Sequence, residues 1–158
     1  MRIAHATDIH WFREPGVFDF TFKRLLGTAN LVLRGRKAHF AEAAQSALVA
    51  HIARTKPDLF IISGDLTAQA LPSEFQAARE ALQPVLESIP TFIVPGNHDM
   101  YTQASYTKRT MDSLFSEWMH LQPDGLGRFD VPGITAVGLD PNRPTWINAS
   151  GAVPDVQL

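Results

Sequence analysis

The chain has 158 residues and not one cysteine. Disulfides, thiolate–metal sites and cysteine nucleophiles are therefore excluded. Long hydrophobic runs are also missing, and no apolar stretch of the sequence could span a membrane. The opening residues Met1-Arg2-Ile3-Ala4-His5 lack the apolar core of a secretory signal, because His5 and Asp8 interrupt it. A cytoplasmic protein is the expectation. The sequence holds no internal repeat, no low-complexity tract and no composition shift that would mark a domain boundary. The net charge of -2 is small and singles out no partner, and no specific nucleic-acid binding is expected.

What is present suits one domain, residues 1–158, with a real core. Hydrophobic residues make up 45% of the chain, an ordinary share for a globular protein. Charge is uneven. The segment 11–37 carries Arg13, Lys23, Arg24, Arg34, Arg36 and Lys37 against Glu14 and Asp19. It reads as a basic insertion in which Phe22, Leu25, Leu26, Ala29, Val32 and Leu33 share a helical face. Such a face either covers the domain's own core or lies on a membrane surface through 20–37.

Three apolar runs read as buried parallel strands: Arg2 to Thr7, Asp58 to Ser63 and Thr91 to Val94. Helical patterns separate them. Phe40, Ala44, Ala47, Leu48 and Ile52 form one stripe, ended by Pro57. Phe75, Ala78, Leu82 and Leu86 form another, with Ser73 and Gln76 as a capping box and Pro84 as a kink or break. Met111, Leu114, Phe115, Trp118 and Met119 make a further stripe. Two short runs then flank Pro132-Gly133, which suits a type II turn in a hairpin-like pair. From Val153 a helix begins near Pro154.

Each predicted strand ends in a polar motif: Asp8-Ile9-His10, Gly64-Asp65 and Gly96-Asn97-His98-Asp99. Ligands of open α/β sheets bind at the carboxyl ends of the strands. One rim would thus collect Asp8, His10, Asp65, Asn97 and His98, a set of oxygen and imidazole donors suited to divalent transition metals. Asp8 and His10, two apart, would project to one face of a strand. Asp65 sits where a carboxylate can bridge two cations, and Asn97 offers a neutral oxygen. Two metals roughly 3.5–4 Å apart would clamp a phosphoryl group and generate a hydroxide nucleophile. His98, as imidazolium, would stabilise charge or protonate the leaving oxygen.

Taken in order, Asp8-Ile9-His10, Gly64-Asp65-Leu66-Thr67 and Gly96-Asn97-His98-Asp99 resemble the calcineurin-like metallophosphoesterase family, from Met1 to about Leu139. The resemblance implies an α/β fold: an αββα sandwich of two mixed sheets, here incomplete at the C-terminus. It implies two divalent metal ions, with Asp8 and His10 on the first, Asp65 bridging and Asn97 on the second; manganese, iron or zinc would suit these mixed nitrogen and oxygen donors. It makes His98 the catalytic histidine and Asp99 a support for its geometry. Further histidine ligands expected in Gly-His and Gly-His-x-His motifs have no match after Asn97, where His98 and His120 are the remaining histidines. The sequence thus reads as the N-terminal part of a longer enzyme, weakly active or inactive alone.

Blander roles compete at several positions. Thr67 either caps a turn or orients the metal loop, and Tyr101 either lines the substrate pocket or packs. His5, His39 and His51 read as structural, and His51 falls near an apolar stripe. The expected function is a metal-dependent phosphoesterase, phosphodiester substrates being favoured. The alternatives are hydrolysis of a lipid-linked nucleotide-sugar pyrophosphate at a membrane surface, and a non-catalytic scaffold of the same fold.

Overall fold

The computed structural model describes residues 1–16, 42–122, 126–142, 151–153 and 155–157. The basic amphipathic segment expected within 11–37 lies outside them from residue 17 onward, as do His39, Pro154 and most of the irregular tail.

Three parallel strands form the first sheet: β1 (Ile3–Ala6), β2 (Leu59–Ser63) and β3 (Thr91–Val94), in the order β1-β2-β3. Helix α1 (Glu42–Thr55) lies between β1 and β2 in the chain, and α2 (Pro72–Leu86) between β2 and β3. The central strand is the most apolar and is buried on both faces at Leu59, Phe60 and Ile62, as a run without alternation demands. Two helices follow β3, the short α3 (Gln103–Lys108) and α4 (Thr110–Met119). Strands β4 (Gly127–Val131) and β5 (Ile134–Gly138) then pair antiparallel as a second sheet. The turn between them places Gly133 at φ 90°, the left-handed value that a type II turn requires of its third residue. Asp155–Gln157 closes the described chain as one turn of 3-10 helix. Among the described residues no helix is long and apolar enough to cross a membrane.

Register assigns each side chain to a face. Ala4, Phe60 and Thr91 align, as do Ala6, Ile62 and Ile93. This face meets the helices, where Ile52 of α1, Phe75, Leu82 and Val85 of α2 and Met111, Phe115 and Met119 of α4 complete one core. Each large side chain so buried contributes about 1.5–3 kcal/mol. The other face carries Ile61, Phe92 and Val94, and the hairpin covers its β3 side. There Phe92 stacks on Phe129 at 6.3 Å between ring centres, and any side chain at Gly138 would meet Phe92 and Val94. On the same face Ile3 of β1 is 44% exposed, and His5 is exposed with its Nε2 against Ser63 Oγ at 2.6 Å.

Several local expectations need correction. Helix α2 starts at Pro72, not at Ser73: Leu71 is its N-cap, and the Glu74 carboxylate accepts from Leu71 N at 3.1 Å. Gln76 instead donates to Glu80, one turn on. Pro84 does not end the helix, which continues to Leu86, because so near the C-terminus its missing N–H removes just one bond of the last turn. Helix α1 buries Gln45 and Ile52 while Ala44, Ala47 and His51 face solvent, so the small alanines misplaced the stripe. Helix α3 was not expected. It is six residues long and buries Ser105 alone, so it has no apolar period. Thr102 and Ser105 start it by capping each other reciprocally.

Candidate metal centre

The first motif reaches the rim by leaving its strand. β1 ends at Ala6, and Asp8 and His10 lie beyond it with φ of 55° and 52°. They do not converge by strand alternation, which is the correction here. They converge because two left-handed residues turn the chain while it stays paired with the segment after β2. Asp8 N donates to Gly64 O at 3.3 Å, His10 N to Asp65 O at 3.0 Å and Trp11 N to Leu66 O at 2.7 Å. Trp11 is buried in the core and bridges to Thr67, which anchors the far end of this turn.

Asp65 has φ 54° and follows Gly64 at φ 91°. Left-handed non-glycine residues cost about 1–2 kcal/mol each. Here three of them bring their side chains together, so the surrounding contacts must hold them. Gly64 and Gly96 interlock: a Cβ at Gly64 would strike the Gly96 backbone, and one at Gly96 would strike Asp65 N and Oδ1. Two loops thus touch backbone to backbone where no side chain fits.

The outcome is one cluster. A ligand atom from each of Asp8, His10 and Asp65 lies within 4.8 Å of the others. Asp8 Oδ2 accepts from the Thr7 hydroxyl at 2.8 Å, and Oδ1 lies 3.6 Å from His10 Nε2. His10 Nδ1 faces the Thr67 carbonyl at 3.0 Å. A carbonyl can only accept, so Nδ1 is the donor there and Nε2 is the ring nitrogen turned toward the carboxylates. Two carboxylates and one imidazole suit a divalent cation.

The third motif closes on the same point. His98 N donates to Asp65 Oδ1 at 2.9 Å, and His98 Nδ1 donates to the Ala68 carbonyl at 2.7 Å. Its Nε2 is left to act, for the same reason as in His10. The His98 ring lies edge-on to that of His10, centres 4.9 Å apart, and stacks against Tyr101 at 5.5 Å. Asn97 sits exposed in the turn between Gly96 and His98, both of which touch Asp65.

Asp99 is fully buried and does not meet the His98 ring. Its carboxylate accepts from Gly96 N at 3.0 Å, Leu66 N at 3.2 Å, Thr67 N at 2.9 Å and the Thr67 hydroxyl at 3.0 Å. It therefore joins the loop after β2 to the loop after β3. Burial pushes its carboxyl above the usual carboxylate range, and the Asp65 charge adds to the rise, while the backbone donors oppose it. Thr67 also serves two ends: its hydroxyl accepts from Ala70 N and lies 3.3 Å from His98 O.

Two positions escaped the sequence reading. Gln45 donates from α1 to the carbonyls of Ile9 and His10. Glu74, buried at the start of α2, accepts from Gln69 N at 2.9 Å and Arg13 N at 3.3 Å besides capping its own helix. Pro72 followed two residues later by an acid was a readable start signal for α2. Nothing local marks Gln45. His120 is remote from the cluster. It ends α4 and stacks on Phe129 at 4.1 Å, where burial lowers its pKa.

The family model described as calcineurin-like phosphoesterase matches residues 1–154. A probable glycerophosphodiester phosphodiesterase, GpdQ, of Arcobacter nitrofigilis is 35% identical over 89 residues, which cover 55% of this chain and 29% of that protein. The match thus spans less than a third of the relative's length.

Proposed function

The chain belongs to the calcineurin-like phosphoesterase family, and from that premise we propose that it hydrolyses phosphoric esters with divalent cations, phosphodiesters being the favoured class. One observation carries this reading: donors of Asp8, His10 and Asp65 converge within 4.8 Å on the rim that also holds His98. The likeness to the Arcobacter protein, named a probable glycerophosphodiester phosphodiesterase, supports the substrate class.

In this reading Asp8 and His10 hold one cation, Asp65 is shared and Asn97 lends its amide oxygen to a second. Manganese, iron or zinc suits such mixed donors. When bound, such cations polarise a phosphoryl oxygen and make nearby water more acidic. The chain's own residues do the rest. Gly64 and Gly96 hold the two loops in contact, and Asp99 ties them. The Ala68 carbonyl holds the Nδ1 proton of His98, so in the imidazolium Nε2–H is the group that gives a proton to the leaving oxygen. Tyr101, stacked behind the ring, limits its rotation. Two cations take more donors than these residues supply, so the 158-residue chain is expected to bind manganese weakly and turn over slowly.

The test is hydrolysis of bis(p-nitrophenyl) phosphate by the chain with manganese. Slow turnover is expected, abolished by chelation and reduced about 10²–10⁴-fold in His98→Ala. Turnover that survives EDTA, or is indifferent to His98→Ala, would overturn the reading.

A further inference from the structure

We infer that Gln45, on a helix outside the three motifs, is the positioning residue that sets the direction of the His10 imidazole. The inference rests on the reading of His10 as a metal ligand. Gln45 is 6% exposed, and its Nε2 donates to Ile9 O at 3.1 Å and to His10 O at 2.9 Å. Two successive carbonyls converge on one amide group because His10 is left-handed, at φ 52°. An extended residue would send them to opposite sides. Gln45 thus satisfies the backbone in the left-handed conformation from which His10 faces Asp8.

His10 is then held on three sides. Its carbonyl is taken by Gln45, its N–H by Asp65 O at 3.0 Å, and its Nδ1–H by Thr67 O at 3.0 Å. With the backbone and one ring nitrogen fixed, Nε2 has one direction left, toward Asp8 Oδ1 at 3.6 Å. The Asp65 and Thr67 bonds come from the loop after β2. Gln45 supplies an anchor from helix α1. A buried amide costs free energy unless its donors are used, and both of these are used on the metal loop. Partners of ligating histidines that lie outside the ligand set tune affinity by about 10–100-fold when lost.

The experiment uses the 158-residue chain with its histidine rings labelled with nitrogen-15 and no metal added. Ring nitrogen shifts report which tautomer each histidine adopts. In the parent, His10 is expected as the single Nδ1–H tautomer. Gln45→Met keeps the length and removes both donors, and Gln45→Glu keeps the shape and turns an oxygen on the carbonyls. Both are expected to give mixed His10 tautomers, while Ile52→Val, a destabilised control on the same helix, keeps the parent signal. An unchanged His10 signal in both Gln45 variants overturns the inference, as does an equal change in Ile52→Val. Calorimetric titration with manganese should show a 10–100-fold weaker affinity in the Gln45 variants, and equal affinity would also overturn it. If the parent binds manganese no better than Asp65→Ala, the phosphoesterase reading fails, and the nitrogen shifts still decide whether Gln45 orients His10.

Discussion

The rim at the carboxyl ends of the parallel strands and the hairpin side of the same sheet hold together by different physics. At the rim, polar groups meet the backbone. Asp99 accepts four bonds from two loops, Gln45 covers two carbonyls, and Gly64 meets Gly96 with no side chain between them. On the hairpin side, aromatic faces do the work: Phe92, Phe129 and His120 stack, with an interplanar angle of 12° between the last two. Directional bonds fix where an atom points, which a metal site needs. Aromatic burial fixes that two layers stay together, and it tolerates small shifts. The difference teaches which region is held by directional bonds and which by apolar cohesion.

Substitutions can break that contrast. Phe92→Ala should have the largest effect on stability, a loss of about 3–5 kcal/mol, read by urea unfolding. The affinity of the remaining folded fraction for manganese should not change. A parallel loss of affinity would mean that the two regions are not separable. Asp99→Asn should cost less, about 1–3 kcal/mol, because one of its donors would then face an N–H group. It should weaken manganese binding as well, since both loops depend on that carboxylate. Stability lost with full affinity retained would show that the loops hold their shape without it.

The smallest effect concerns pH. Burial lowers the pKa of His120 from the ordinary 6.5. The unfolded chain then takes up the proton more readily than the folded one. Its contribution is present above the unfolded value and is lost as pH falls through the folded one. Melting temperature should therefore decline as pH drops below about 6.5, and His120→Phe should flatten that decline. A variant curve parallel to the parent's would remove His120 from the acid response.

The two regions were unequally legible. The Pro132-Gly133 turn between two short runs located the hairpin, whose strands are Gly127–Val131 and Ile134–Gly138. The acidic and imidazole residues of the rim also stand out in the sequence, because such types at strand ends are informative. Their arrangement does not. Asp8 and His10 meet through left-handed turns after the strand, and local sequence carries little sign of φ at aspartate or histidine. Gln45 was hidden for a related reason. A helical period marks apolar positions, and here a polar residue is buried to serve carbonyls 35 and 36 residues away in the chain.

The order of apolar runs and strand-end motifs by itself determined that a parallel sheet would gather acidic and imidazole donors on one rim, since strand burial and sheet connectivity follow local pattern. Tertiary structure alone decided how those donors face one another. Which histidine nitrogen keeps its lone pair, and which glycines must touch, depend on bonds between loops distant in sequence. Such bonds are made by backbone groups that every residue carries, so residue identity does not announce them.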